Sequence, residues 1–543
     1  MADKTFRADV LIIGGGIGGV CAAIKAAEQK ANVLLVEKAD PRWAGQVPFA
    51  GGVFFCLFED DDRNAWLKEN LEDGQYLNDR KWLQKYGEET YPALEELNGW
   101  GVPFEKNARG RLLRQKFPTH QGSQVFVPQP REIQLVLVKT AISKGVKIVN
   151  KAYIPELIQQ GQQVMGAVGF DLVTGEFLTF LSKTVILACG GCNWGVRRLF
   201  TMNYGESIRM AFEAGAELRN AEFGNQYTPV EKVTESWTWS NDLLENAAGE
   251  RILAKHFPGS TREIGFQTIS AMYKEIQAGR GPIFQNFTGE PELVERIQKI
   301  GGVEGYNIVA HCLKKKIDLT REKIEMKPAL SAHLGPVKID QNCETTVPGL
   351  FALGDACFGG SAFQGTLPPG SHPGYPLPFA VVSGFNAGKS AGIRASSLPE
   401  PKVDMKEIST QRERIFAPLR KKNGYSPYDG IHQIQEAATP LKYNFMRTDS
   451  RLKEALSMVE GVKANIPNLE AKEPHDVMRC CQVKSMAFCA ELQHKAARMR
   501  TETRGGHIRE DFPERDDRNW LKWIEAKKEG EEIRFWTVPV PQV

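Results

Sequence analysis

Two apolar runs near the amino terminus, Val10–Ile13 and Val33–Val36, enclose three glycines spaced as Gly14-x-Gly16-x-x-Gly19. A glycine turn that opens a helix presents free backbone N–H groups at the positive end of the helix dipole, where phosphate binds. Gly14 permits the tight turn, Gly16 lets the backbone approach a pyrophosphate, and Gly19 lets the helix pack close to the strand. Glu37 closes the second run, 18 residues after Gly19, where a carboxylate can take both hydroxyls of a ribose. Lys38, Gly51 and Gly52, in the loop that follows, are assigned to the same site.

This pattern predicts a dinucleotide site, and two distant segments decide which dinucleotide. Thr184–Gly191 is a second apolar run that ends in glycines, Gly190 and Gly191, and can close over an adenine half. Gly349–Asp355 is a third, ending in Gly354 and Asp355, with Asp355 placed to hold a ribityl chain and Ser371 beyond it assigned to the same cofactor. A nicotinamide domain needs no such return segment, whereas an extended FAD does. The residues therefore predict FAD.

The elements that must carry these groups follow from the same runs. Strand, glycine turn, helical stretch Gly18–Lys30 and strand form a βαβ unit, the beginning of a parallel sheet. Further strands are predicted at Val146–Val149, Val164–Val168, Val185–Ala188 and Leu350–Leu353. The last two lie so far apart that an inserted unit is predicted between them. After Pro399 the pattern becomes long amphipathic helices, the longest at Pro474–Arg504, and the tail from Gly505 to Val543 is polar with several tryptophans. The fold class is thus α/β, a Rossmann-type FAD-binding domain with an inserted α+β domain and a carboxy-terminal helical domain. The boundaries are set at 1–224 for the first part of the FAD-binding domain, 225–340 for the insertion, 341–400 for the return segment and 401–543 for the helical domain and tail.

Bulk properties exclude several classes. Of 543 residues, 69 are Lys or Arg and 66 Asp or Glu, a near balance with no basic excess of the kind a nucleic-acid binder shows. No apolar run approaches the ~20 residues of a membrane span, and the first residues lack the apolar core and twin arginines of an export signal, so the expected address is the cytoplasm. Cys189 and Cys192 form the one CxxC among ten cysteines; without a second pair it makes a poor zinc site, and a structural role is favoured over a redox dithiol. Ferredoxin-type cysteine spacing is missing, so any iron–sulfur cluster belongs to a partner subunit.

These segments resemble the flavoprotein subunits of fumarate reductase and succinate dehydrogenase, with their relatives L-aspartate oxidase and adenylylsulfate reductase. The most specific stretch is Thr501–Trp520, with Thr503-Arg504-Gly-Gly-His507-Ile-Arg509-Glu-Asp511-Phe-Pro513 against the family's S-R-G-x-H-x-R-x-D-x-P; Phe212–Glu217 resembles the stretch entering the family's capping domain. The resemblance makes the insertion that capping domain and implies an enzyme in which hydride leaves flavin N5 while a capping-domain arginine supplies the proton. Thr261-Arg262-Glu263 stands at that arginine's place, making Arg262 the candidate proton donor and charge stabiliser. Lys327–Gly335 resembles the family's P-T-x-H-Y-T-M-G-G and makes His333 a candidate substrate-binding group, and Glu235 matches the glutamate of the proton relay.

The departures narrow the substrate. Asn225-Gln-Tyr-Thr-Pro229 replaces the His-Pro-Thr of the dicarboxylate enzymes, Gly365–Gly374 replaces their second substrate arginine, and Thr238 replaces the arginine of the relay. Losing two carboxylate-reading groups, each worth on the order of 1.5–3 kcal/mol, argues against fumarate and succinate. The histidine that links FAD covalently is missing from Arg42–Val47, so FAD is expected to be non-covalent. The reading is an FAD-dependent reductase or dehydrogenase acting on a small substrate. The alternative is an electron-transfer subunit, similar to adenylylsulfate reductase, that works with a ferredoxin-like iron–sulfur partner. A third reading, an RNA-modifying flavoprotein, is disfavoured by the charge balance.

Overall fold

The computed structural model describes residues 4–541, apart from 117–120, 197–202, 225–226, 236–240, 260–264, 301–311, 313–314, 331–333, 359–361, 363–364 and 367–373; for 296–300 it describes the backbone alone. Its main sheet has seven strands. Lys147–Val149, Val33–Val36, Lys4–Ile13 and Phe177–Leu187 run side by side in parallel. Beyond them the long Phe177–Leu187 strand is shared: its first half pairs antiparallel with Gln163–Asp171, which in turn pairs with Ala152–Gln160, while its second half pairs in parallel with Leu350–Ala352. The registers Ile13↔Val36, Ile13↔Leu187 and Leu187↔Ala352 bring four strand ends to one level. Parallel strands are covered on both faces, which is why Val10–Ile13 and Val33–Val36 read as unbroken apolar runs and are buried throughout.

Helix Ile17–Glu28 crosses this sheet beside helix Pro376–Ser396. Glycines set their separation: a Cβ on Gly384 would stand 2.5 Å from Gly18 O, and one on Gly388 2.1 Å from Ala22 O. Only glycine allows the two backbones this close, and the return segment is thereby drawn over the first turn of the phosphate helix.

A second sheet is built wholly from the interval read as an insertion, in the order Tyr227–Glu231, Ile324–Leu330, Ile283–Gln285, Leu244–Glu245, all antiparallel. Helices Ile252–His256, Gly265–Gln277 and Pro291–Ile300 accompany it. The carboxy-terminal region is helical through Pro474–Met499, whose proline stands in the first turn, where its missing N–H costs nothing. The polar tail, for which the sequence reading assigned no element, is structured. Lys522–Glu529 and Glu532–Pro539 form a hairpin that adds to Leu218–Arg219 as a three-stranded sheet. No helix among the described residues is long and apolar enough to cross a membrane.

Between helix and hairpin runs a chain of buried ion pairs. Arg500 binds Glu222 at 2.8 Å and Glu502 at 2.9 Å, and Arg504 binds Glu502 at 2.6 Å and Asp517 at 2.7 Å. Asp517 is half exposed, but Glu222, Arg500, Glu502 and Arg504 are fully buried, and removing one of these four leaves a bare buried charge, so each is strongly required even where the set as a whole adds little net stability.

Candidate functional site

The four aligned strand ends deliver the expected groups to one rim. Gly14 turns at φ +113°, and a Cβ there would meet Ala188 O at 2.4 Å, at the end of the neighbouring strand. A Cβ on Gly19 would stand 2.0 Å from Gly14 O, which is the close helix-to-turn packing expected of the third glycine. Gly16 is different. A Cβ there would meet nothing among the described residues closer than Gly45 Cα at 3.5 Å, an ordinary contact, so none of them requires glycine at this position. The open side of Gly16 is the helix N-terminus, where a pyrophosphate needs room.

Glu37 is buried and bound at both oxygens: Oε2 accepts from Gly15 N at 2.6 Å and Oε1 from Ala39 N at 2.9 Å. These bonds fix the carboxylate beside the phosphate turn while each oxygen keeps lone pairs for a ribose. Two further side chains reach this rim that the sequence did not single out. Gln134 donates from Nε2 to the carbonyls of Gly15 and Pro41, both at 2.7 Å, and its Oε1 meets no donor among the described residues. Glu206 is buried and accepts at Oε1 from Gln482 at 3.3 Å and Tyr153 at 3.5 Å, while its Oε2 meets no donor among the described residues. Lys38 lies 3.8 Å from Glu206. Its ammonium is held above the ordinary lysine pKa: desolvation works against the charge, and the carboxylates of Glu206 and Glu37 outweigh it.

The return segment closes the other end. Leu353 N donates to Leu187 O at 3.2 Å, Gly354 turns at φ +59°, and Asp355 accepts a hydrogen bond from Gln46 in the loop after the second strand. That loop holds Gly45 at φ +73° against Gly16. Gly190 turns at φ +74° beside Asn203. Gly52 also has positive φ, but a Cβ there would strike Val127 O at 2.2 Å, so packing accounts for that glycine without any cofactor. Gly51 precedes it at the head of strand Val53–Cys56.

The cysteines of the CxxC diverge. Cys189 Sγ donates to Ile13 O at 3.2 Å, and burial pushes its thiol up to about 12, so it is not a thiolate. Cys192 exchanges backbone hydrogen bonds with Leu334 at 2.9 and 2.8 Å, and its side chain lies against Gly205 together with Cys489 of the long helix. Among the described residues no group of acids, histidines and cysteines could hold a metal ion.

Of the three catalytic candidates, the described residues include Glu235 alone; Arg262 and His333, like Ser371, Asn225 and Thr238, lie outside them. Glu235 sits at φ +57°, its N–H bonded to Glu231 O, on the turn leaving strand Tyr227–Glu231. Its carboxylate is 2.8 Å from Lys327 Nζ, both side chains about a third or more exposed. Lys327 lies opposite Val230 on the strand that runs on toward position 333.

A Rossmann-type sheet with a glycine turn opening its first helix, a buried carboxylate beside that turn and a distant return segment is the arrangement expected of an FAD flavoprotein, and comparison with known proteins agrees. A family model described as an FAD binding domain matches residues 9–371, and one described as the fumarate reductase flavoprotein C-terminus matches 435–542. One of the subunits of the fumarate reductase (CoM/CoB) of Methanothermobacter marburgensis is 25% identical over 545 residues, covering 95% of this chain and 96% of that protein. An uncharacterised FAD-dependent oxidoreductase of Methanocaldococcus jannaschii is 27% identical over 531 residues, with 94% of each chain covered. Among solved structures, Escherichia coli quinol fumarate reductase superposes with a TM-score of 0.85 at 21% identity, covering 99% of this chain and 97% of that one. Adenylylsulfate reductase of Archaeoglobus fulgidus gives 0.83 at 22% identity, covering 100% and 97%.

The chain belongs to the fumarate reductase/succinate dehydrogenase flavoprotein family. It is an FAD-dependent oxidoreductase. The open side of Gly16 and the unanswered oxygens of Gln134 and Glu206 are observations of this chain that fit FAD.

Proposed function

We propose that this flavoprotein holds FAD without a covalent link and exchanges hydride with a small substrate that is neither fumarate nor succinate. FAD supplies the hydride chemistry when bound; the chain binds it, orients the substrate and handles the proton. Gly14, Gly16 and Gly19 carry the phosphates, Glu37 the adenosine ribose and Asp355 the ribityl chain, with Lys38, Gly51, Gly52, Gly190, Gly191, Gly354 and Ser371 completing the site. Residues 225–340 act as the capping unit. There Arg262 stabilises developing charge and passes the proton, with Glu235 behind it, while His333 binds the substrate.

The observation that carries the non-covalent assignment is the loop after Glu37. Gly45, at φ +73°, is the residue that meets the phosphate turn, and residues 38–52 contain no histidine. For the substrate, the supporting fact is sequence: Asn225–Pro229 and Gly365–Gly374 contain no arginine or lysine and a single histidine, His372, where the dicarboxylate enzymes place carboxylate-reading groups.

The test is anaerobic reoxidation of the photoreduced protein. Rapid reoxidation by a member of a panel of enones and oxyanions, with fumarate slow, supports the reading. Reoxidation by a ferredoxin alone, with the whole panel inert, makes the chain instead the flavin subunit of an electron-transfer pair with an iron–sulfur partner.

A further inference from the structure

Residues 38–46 join strand Val33–Val36 to the short turn Val47–Phe49 without forming a strand or helix of their own. Their course is set by what they touch. Ala39 N donates to Glu37 Oε1 at the ribose end of the cofactor site, Gly45 lies against Gly16 at the phosphate turn, and Gln46 donates to Asp355 at the ribityl end. The segment therefore runs the length of that site. A connection of this kind moves freely unless side chains fasten it.

The fastening comes from the first turn of a helix outside the dinucleotide motif, Arg131–Ser143. Gln134 is fully buried, and its Nε2 donates both to Pro41 O in this segment and to Gly15 O in the phosphate turn, each at 2.7 Å. The amide has one orientation available, because turned over its oxygen would oppose two carbonyl oxygens. Gly15 is held from its other side as well: its N–H donates to Glu37 Oε2 at 2.6 Å, and a Cβ on it would stand 2.9 Å from Pro41 Cβ. Three residues before Gln134, on the same face of the helix, Arg131 sets its guanidinium 3.6 Å from the centre of the Trp43 ring. Trp43 N donates to Asp40 O at 2.9 Å, closing the turn that carries both Pro41 and Trp43. One helical turn thus grips one chain turn twice, by a buried hydrogen-bonded pin and by a stack at the surface.

We propose that this first helical turn is a clamp on FAD, with Gln134 as a positioning residue whose two hydrogen bonds tie segment 38–46 to the phosphate turn and set the rate at which the cofactor leaves. The proposal rests on the placement of FAD given above. Since Gln134 joins Pro41 to Gly15, losing it frees the covering segment and the phosphate turn together. Arg131 acts on the covering segment alone, through Trp43.

The test is FAD release from the full-length flavin-loaded protein after dilution, followed as the rise in flavin fluorescence. Gln134→Met keeps the volume but removes both hydrogen bonds and should speed release by ~10-fold or more. Arg131→Ala should speed it by about 3-fold, and only while Trp43 is present: added to Trp43→Ala it should change nothing further. Gln134→Glu separates hydrogen bonding from packing. Its ionised carboxylate opposes both carbonyls, so at pH 8 release should be faster than from Gln134→Met, and the gap should narrow on acidification as the carboxyl gains a proton to donate. Wild-type release from a folded Gln134→Met, or an effect of Arg131→Ala that is the same with and without Trp43, would overturn the clamp. If Gln134→Met does not fold, the Arg131 and Trp43 variants, both at exposed positions, decide alone. Failure of the cofactor placement itself reads differently, as flavin retained by Gly16→Val.

Discussion

Acidification should loosen the carboxy-terminal helix well before carboxylates protonate, and two buried histidines set the size of the effect. His507 accepts at Nδ1 from Arg447 and faces Arg500 O with Nε2, so it is neutral and cannot add a proton without facing a guanidinium N–H. Burial, then the Arg447 charge, push His494 down to about 3, and the same two causes hold His507 well below the usual histidine value. When the region opens, both histidines return to about 6.5. Between that value and the depressed one the open state binds more protons, so the stabilisation is complete above pH 6.5 and is lost as pH falls. From pH 7.5 to 5.5 His494 alone raises the opening constant by on the order of 10-fold, about 1 kcal/mol, and His507 adds to this in the same direction. Hydrogen-exchange mass spectrometry of Pro474–Met499, corrected for intrinsic exchange, measures this directly. His494→Gln keeps a donor toward Ala437 O and should lower the pH slope. An opening free energy constant over this range, or a slope indifferent to His494→Gln, refutes the reasoning.

Three further outcomes follow from the cofactor and substrate readings. Acid precipitation should release intact flavin to the supernatant, as absorbance and mass will show; colour retained in the pellet would indicate a covalent link. Gly16→Val should yield protein without flavin, measured as the ratio of absorbance at the flavin band to that at the protein band, because its side chain would occupy the open side of the phosphate turn. Fumarate should be neither reduced nor formed at a rate comparable with the best substrate of the panel, and steady fumarate turnover at that rate would contradict the substrate reading.

The sheet was legible because parallel strands buried on both faces must be written as apolar runs: Val10–Ile13, Val33–Val36 and Val185–Leu187 are all strand. Gly14 and Gly19 stand where local geometry dictates residue type, the first at a positive φ and the second packed against the Gly14 carbonyl. Gln46, Gln134 and Glu206 were not legible. Each reaches the rim from a distant element, Gln46 onto Asp355 and Gln134 onto Gly15, and nothing local distinguishes such a glutamine from a surface one. The tail hairpin was legible in principle. Trp523, Ile524 and Ala526 face Val538, Thr537 and Phe535 across a two-residue Gly530–Glu531 turn, a recognisable hairpin signal. Lysines and glutamates scattered along both strands masked its alternation. In the sequence, Arg504 carries a family signature without a physical role; the structure supplies one, a chain of ion pairs that runs through Glu502 and Arg500 back to Glu222.

Arg262 is the residue proposed to join flavin chemistry to substrate, and its substitution is the decisive measurement. Steady-state turnover of Arg262→Ala with the substrate found by reoxidation, and flavin occupancy on the same sample, should show full FAD content. Turnover should fall ~100-fold or more, the lower end for losing a positioned proton-transfer group or charge stabiliser. Arg262→Lys should recover only part of it, since an ammonium lacks the two-pronged geometry. Full flavin with near wild-type turnover in Arg262→Ala would contradict the site assignment and leave electron transfer to a partner as the better description.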